Sequence, residues 1–113
     1  MLPREHRMRR STDFAVVVRS GDRARRGHVV VHQRTLPGRG QPIVGLVVGK
    51  AVGPSVVRHR VSRRLRAQLA ARLDTLGEHC AIVVRALPGA DQASSAELGA
   101  DLDAAFTRLA RSR

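Results

Sequence analysis

The chain has 113 residues, enough for one domain with one modest hydrophobic core. Hydrophobic residues make up 42% of it, which argues against extensive disorder, and the opening MLPREHRMRR lacks the apolar stretch of a secretory signal. Lysine and arginine total 21 against 9 acidic residues, a formal net charge of +12, which indicates a polyanionic partner such as nucleic acid rather than a membrane.

The first half of the chain predicts one helix and two strands. Residues 1–10 are basic and irregular in pattern, which indicates a mobile arm. A helix follows from Ser11 or Thr12 to a stop at Gly21, although the valines at 16–18 leave a strand as the alternative. The remaining segments are a basic loop at 21–27, a strand at 28–33, a turn at 36–41 and an apolar strand at 43–48. We expect this last strand to be buried on both faces or central in its sheet.

The second half predicts two helices around a third strand. One helix begins after the Gly53-Pro54-Ser55 break and ends near Gly77, and a strand covers 80–84. After a loop at 87–93, a capping box at 94–97 opens an amphipathic C-terminal helix with Phe106 in the core. The order α-β-β-α-β-α predicts an α/β fold, an α+β two-layer sandwich with a small mixed sheet. We therefore predict a single nucleic-acid-binding domain over residues 1–113, and the missing secretory signal and single cysteine predict a location in the cytoplasm.

The helix after Pro54 carries the strongest functional signal in the sequence. Its apolar stripe, at helical spacing, is suited to packing on the sheet and contains Val57, Val61, Leu65, Leu69 and Leu73. Cations fill most of the remaining positions, including the first turn, where they oppose the helix dipole. Neighbouring like charges cost about 0.2–0.5 kcal/mol per pair, and no acidic residue lies between Asp22 and Asp74. A merely solvated face would carry both signs, so we interpret this one as a binding site for a polyanion.

No constellation of side chains for catalysis or metal binding is visible in the sequence. The five histidines show no HExxH motif and no metal spacing with the single cysteine, Cys80, and the glycines form no phosphate-binding loop. The acidic residues form no pair near the basic helix. Phe14 and Phe106 are the only aromatic residues, too few for binding by base stacking alone. Binding must therefore rest mainly on charge and shape, and any cleavage chemistry must come from elsewhere.

In three segments, residues 45–66, 7–21 and 81–85, the chain resembles the protein subunit of bacterial ribonuclease P. Gly45–Arg66, GLVVGKAVGPSVVRHRVSRRLR, is similar to that family's strand end, glycine break and Arg-rich helix. Arg7–Gly21, RMRRSTDFAVVVRSG, is similar to its opening segment, and the strand Ala81–Val84 with the Arg85 that follows also fits. The sequence departs from the family's basic motif at three positions, and Val18, Val29 and His32 stand where aromatic rings are common in the family. His59 replaces an asparagine, Ala51 a second lysine, and Pro54 the asparagine of the break.

The resemblance implies a division of labour in the maturation of precursor tRNA. In this family the RNA subunit, with bound divalent metal, cleaves the 5′ leader, and the protein is an accessory subunit without catalytic residues. The protein binds that RNA through its Arg-rich helix and receives the leader in a cleft between the sheet and the first helix. The resemblance also implies a left-handed β-α-β crossover. We expect the catalytic RNA and precursor tRNA as partners, Mg²⁺ in the assembled ribonucleoprotein, no metal held by the protein alone, and no DNA.

Carried onto this chain, the resemblance assigns three groups of residues. The expected contacts to the RNA subunit are Lys50, Arg58, His59, Arg60, Arg63, Arg64 and Arg66. The expected leader cleft contains Phe14, Val18, Val29 and His32. Additional phosphate contacts are expected at Arg7, Arg9, Arg10 and Arg85.

The alternative function is that of a non-catalytic, structural RNA-binding protein of the ribosome, a class with similar size and charge. Co-sedimentation with ribosomal subunits would favour it. A DNA-binding architectural protein fits less well, because helix-turn-helix spacing is missing and the basic helix must also pack on a sheet.

Overall fold

Four strands and three α-helices make up the described part of the chain, residues 2–38 and 40–111 of a computed structural model. In chain order they are α1 (Ser11–Ser20), β1 (Asp22–Arg26), β2 (Val29–Thr35), β3 (Ile43–Val47), α2 (Ser55–Ala70), β4 (Cys80–Ala86) and α3 (Ser95–Arg111). The predicted order is confirmed, with β1 added to it, and α1 is a helix rather than the alternative strand. Met1 of the predicted arm and Arg39 of the predicted turn lie outside the described residues.

The sheet has the strand order β1-β2-β4-β3 and mixes both orientations. The pairs β1–β2 and β2–β4 are antiparallel, whereas β3 and β4 are parallel and connected through α2. The β-α-β connection is thus present, and its left hand stays a prediction. The expectation that the strand at 43–48 is central or buried on both faces is wrong, because β3 is an edge strand and Val47 is 38% exposed. The central position belongs to β4, whose residues are all buried except Arg85.

The segment predicted as a basic loop, 21–27, instead contains strand β1. Its side chains alternate, so that Ala24 is buried while the arginines on either side of it are exposed. Ala24 pairs with Val31 in the hairpin with β2, and the connecting turn contains Gly27 at φ +53°. The strand needs only one small buried side chain, which explains why its own composition resembles a loop.

Helices cover the two faces of the sheet unequally. The α2 and α3 helices share one face, where the fully buried core includes Val29, Val31, Val61, Leu65, Leu69, Ile82, Val84, Leu98 and Leu102. A smaller cluster under α1 on the opposite face contains Met8, Val17, Ala81 and Val83. We call these the α2/α3 face and the α1 face of the sheet. The cluster on the second face is the smaller of the two, and one helix packs over it.

The N-terminal segment differs from the predicted mobile arm. It contains a 3₁₀ turn at Arg4–His6 and then runs beside β3, where the Met8 amide donates to the Val44 carbonyl at 2.8 Å. Leu2 and Met8 are 3% and 7% exposed. Two isolated apolar side chains therefore hold this basic segment against the edge of the sheet.

The apolar stripe of α2 is confirmed at its centre, since Val61, Leu65 and Leu69 are fully buried. The helix ends at Ala70, earlier than expected, and a 3₁₀ turn at Leu73–Thr75 follows it.

The capping box of α3 is confirmed by two hydrogen bonds. The Ser94 amide donates to Glu97 at 3.0 Å and the Glu97 amide donates to the Ser94 hydroxyl at 3.1 Å. Hydrogen bonds from the backbone amide and the hydroxyl of Ser94 hold the pKa of the Glu97 carboxyl below its usual range. Phe106, expected in the core, is only partly buried against it.

Candidate nucleic-acid interface

The outward side of α2 is formed by cations that make no ion pair with the described part of the protein. His59, Arg60 and Arg63 are exposed on the side opposite the buried stripe. Lys50 is exposed in the turn that precedes the helix. Among residues 2–38 and 40–111, Arg72 forms an ion pair with Asp103 and the imidazole of His28 contacts Asp101, so neither carboxylate contact involves the outward side of α2. The α2 arginine face, as we name these exposed side chains with Arg58 and Arg66, is free to bind external anions.

Arg58 and Arg66 lie on the flanks of α2 and are half-buried. The buried Nε of Arg58 has no hydrogen-bond partner among the described residues. Arg66 faces the sheet edge, where it lines a cavity of about 150 Å³ with Arg7 and Phe14. One predicted contact to the RNA subunit thus borders one predicted residue of the leader cleft, so the two surfaces adjoin.

Arg64 has a role within the fold that the sequence did not reveal. Its Nη1 donates to the Ala93 carbonyl at 2.8 Å, just before α3 begins. One and two turns later, Gln68 Nε2 donates to the Ser95 hydroxyl at 2.8 Å, and Arg72 forms a double hydrogen bond with Asp103 at 2.6 and 3.0 Å. This ridge of α2 faces α3 rather than solvent. We therefore regard Arg64 as a residue that holds α3 in place, with at most part of its guanidinium available to a ligand.

The predicted leader cleft lies on the α1 face of the sheet, beside α1. Phe14 packs directly on β3, where a Cβ atom at Gly45 would overlap its ring. Val18, one turn further along the same side of α1, is 44% exposed. Phe14 and Val18 therefore share one side of α1, and their contact with a leader stays a prediction.

Val29 does not line this cleft, and its assignment there is wrong. It is fully buried in the core of the α2/α3 face. Side chains alternate along a strand, so the floor of the cleft is formed by its neighbour Val30 together with His32. The run of three valines gives no alternation from which to read the face, and only the register of β2 resolves it.

His32 is the buried polar residue of the cleft floor, with 4% of its surface exposed. Arg23 pairs with it across β1 and β2, and Arg85 lies diagonally on β4. Burial lowers the pKa of His32, and the charges of Arg85 and Arg23 lower it further. The imidazole is therefore neutral near pH 7, and its Nδ1 has no partner among the described residues. Arg23 is a residue of this site that the sequence did not suggest, because it lies in the segment expected to be a loop.

The remaining expected phosphate contacts lie on the exposed surface. Arg7, Arg9 and Arg10 are exposed on the docked N-terminal segment, and Arg7 Nε donates to the Leu2 carbonyl at 3.1 Å. Arg85 is the exposed residue of β4 and borders the cleft. The structure thus divides the group between the β3 edge and the cleft rim.

Carboxylates are absent from most of these surfaces, although Glu5 lies beside Arg7 and Arg9, and Asp13 beside Arg10. No acidic residue occurs between Asp22 and Asp74, so β2, β3 and α2 carry none. The α3 carboxylates are engaged elsewhere, since Asp101 accepts the backbone amide and the imidazole of His28, each at 3.0 Å, and Asp103 accepts from Arg72. The protein therefore has an α3 side that carries paired charges of both signs, and an α2 side that is purely cationic.

Among residues 2–38 and 40–111, no three His, Cys, Asp or Glu side chains lie close enough together to hold a metal ion. In the same ranges, no helix is both long and apolar enough to span a membrane.

Comparison with known proteins gives a consistent result. The Ribonuclease P family profile matches residues 2–110. The chain is 50% identical to the ribonuclease P protein component of Streptomyces bikiniensis, over 96% of this chain and 95% of that one. It is 46% identical to the component of Corynebacterium diphtheriae, over the full length of both.

Solved structures show the same fold at low sequence identity. The RNase P protein of Staphylococcus aureus superposes with a TM-score of 0.80 at 19% identity, covering 90% of this chain and 93% of that one. The RNase P protein of Thermotoga maritima gives a TM-score of 0.76 at 20% identity, covering 93% and 96%.

Proposed function

Because the chain belongs to the ribonuclease P protein family, as its protein component, we propose how its surfaces divide the work of that ribonucleoprotein. The α2 arginine face binds the RNA subunit. The cleft beside α1 receives the 5′ leader of precursor tRNA, whose removal forms the mature 5′ end. The RNA subunit supplies the catalytic groups, and the assembly works in the cytoplasm.

The observation that carries this proposal is the junction at Arg66. A face of unpaired guanidinium groups and an aromatic-walled cleft meet at one cavity lined by Arg66 and Phe14. Phosphate contacts of this kind position a nucleic acid without reading its sequence. The arrangement suits a protein that holds a structured RNA on one side and a single strand on the other.

Mg²⁺, which the family implies, does not fit the side chains described here. Hard divalent cations need several oxygen ligands, and the described residues bring no such group together. We therefore assign no step of the protein's chemistry to the metal and propose that RNA phosphates hold it in the assembly. The role of the protein would be to neutralise phosphates that otherwise repel the leader from the RNA subunit.

Reconstitution tests this division of labour. We expect the purified protein alone to leave precursor tRNA intact, and the protein added to its cognate RNA to lower the Mg²⁺ concentration that cleavage requires. A shallow dependence of RNA affinity on salt would contradict the electrostatic part of the proposal. Cleavage by rigorously RNA-free protein would overturn the assignment of catalysis to the RNA.

A further inference from the structure

Strand β1 presents arginines to the cleft, although its sequence reads as a loop. In the register with β2, Arg23 lies opposite His32 and Arg25 lies opposite Val30. Cross-strand partners point to the same face of a sheet, so both arginines share the α1 face with the cleft floor. Both are exposed, and Arg85 on β4 also pairs with Val30, from the other side. Three guanidinium groups therefore surround Val30 and His32.

These charges have no counterion on their own face among the described ion pairs. Asp22, the acidic residue of β1, pairs with Gln33 and belongs to the α2/α3 face. The lowered pKa of His32 is caused in part by Arg85 and Arg23, which places their charges close to the floor of the cleft. The concentration of like charge is costly unless an anion is bound there.

We propose that Arg23 and Arg25, together with Arg85, extend the leader path from α1 across the sheet to the β1 edge, where they hold phosphates of the leader. The inference rests on the proposed function of the cleft. From Phe14, above β3, the path to β1 crosses three strand spacings, about 14 Å. A stacked strand advances about 3.4 Å per nucleotide, so the extension holds up to about four nucleotides. This chain thus contacts a longer stretch of leader than a cleft bounded by α1 alone would allow.

An ordinary alternative is that charges on an edge strand only prevent aggregation. For that role it does not matter on which face of the sheet the charges lie. Arg26 provides the matched control, because it lies on the same strand and is exposed, but on the face of Ala24. Its Nη1 donates to the Arg25 carbonyl at 2.6 Å, so its side chain turns along its own backbone.

The test measures equilibrium binding of precursor tRNA to the reconstituted ribonucleoprotein, with long-leader, short-leader and leaderless RNAs. We expect Arg23→Ala/Arg25→Ala to bind the long-leader RNA about 10-fold more weakly. The salt slope of its affinity should fall by about 1.4, since two single-strand phosphate contacts are lost. Binding of the short-leader and leaderless RNAs should stay unchanged. Arg26→Ala should bind all three like the wild type, and Arg23→Lys/Arg25→Lys should recover most of the affinity.

Equal behaviour of Arg23→Ala/Arg25→Ala and Arg26→Ala would overturn the inference while leaving the proposed cleft intact. Equal weakening for all three RNAs would also overturn it, because it would point to the RNA subunit or to the fold. If the wild-type assembly binds long-leader and short-leader RNAs equally, the inferred extension fails, whereas equal binding of leader-carrying and leaderless RNAs would overturn the proposed function of the cleft itself. Thermal unfolding of each variant shows whether a lost fold accounts for lost binding.

Discussion

Replacing Arg60 and Arg63 by alanine should raise the stability of the free protein while weakening its binding to RNA. Both side chains are exposed and take part in none of the ion pairs of the described residues. Within α2 the double variant removes three repulsive pairs of arginines, at positions 60–63, 60–64 and 63–66. At about 0.2–0.5 kcal/mol each, their loss should raise the free energy of unfolding by about 0.6–1.5 kcal/mol. Arginine and alanine differ little in helix propensity, so the substitution itself adds only a small term.

Binding should change in the opposite direction. Two lost phosphate contacts should lower the affinity for the RNA subunit by about 10- to 100-fold. The salt slope of that affinity should become shallower by about 1.4–1.8. The assays are urea unfolding of the free protein and RNA titrations at several salt concentrations.

Two control variants separate these effects. Leu65→Ala, at a fully buried position of the same helix, should destabilise the protein by about 2–5 kcal/mol. Arg108→Ala/Arg111→Ala removes the same charge from exposed positions on α3 and should leave RNA affinity close to that of the wild type. The reasoning is refuted if Arg60→Ala/Arg63→Ala loses stability as Leu65→Ala does, or if the α3 double variant weakens binding equally.

Three further outcomes follow from the packing and the titrating groups. Gly45→Ala should destabilise the protein by about 1–3 kcal/mol, because the new Cβ overlaps the ring of Phe14. The control is Gly49→Ala, whose Cβ would meet no atom. It should change the free energy of unfolding in urea by less than about 0.5 kcal/mol. Burial and two neighbouring arginines lower the pKa of folded His32 below 6.5, so the stability linked to its neutral form is present above that pH and is lost as the pH falls. Unfolding of His32→Gln measured between about pH 7 and 5 should lack this acid dependence. The hydrogen bonds from Arg72 lower the pKa of Asp103 below 3.8. Asp103→Asn should therefore lower the free energy of unfolding by about 0.5–1 kcal/mol at pH 7. This difference from the wild type should vanish as the pH falls through the lowered pKa.

The sequence predicts well where one local pattern determines the structure. The period of α2 identifies its buried stripe, and the capping box locates the start of α3, because both signals lie within a few neighbouring residues. Exposed cations on α2 follow directly from that stripe. Arg64 is the exception, since its partner at Ala93 lies 29 residues away and only tertiary packing brings the two together.

Other predictions failed because pairing between distant segments decides them. The resemblance assigns Val29 to the cleft, but a shift of one residue in a strand exchanges its faces, and the register of β2 gives that place to Val30. Strand β1 forms because β2 offers it an edge, and nothing in its own composition requires it. The N-terminal segment docks through Leu2 and Met8, two side chains too isolated to form a periodic signal.

The separation of the paired charges of α3 from the cations of α2 has a consequence for how the protein first meets its RNA. A molecule with a net charge of +12 and such an asymmetry is turned by the field of a polyanion during its diffusional approach. The protein should therefore approach the RNA mostly with its α2 side towards it, and few encounters should bring the α3 side into contact with the RNA. The association rate constant should then fall steeply as salt shortens the Debye length, with a smaller change in the rate of dissociation.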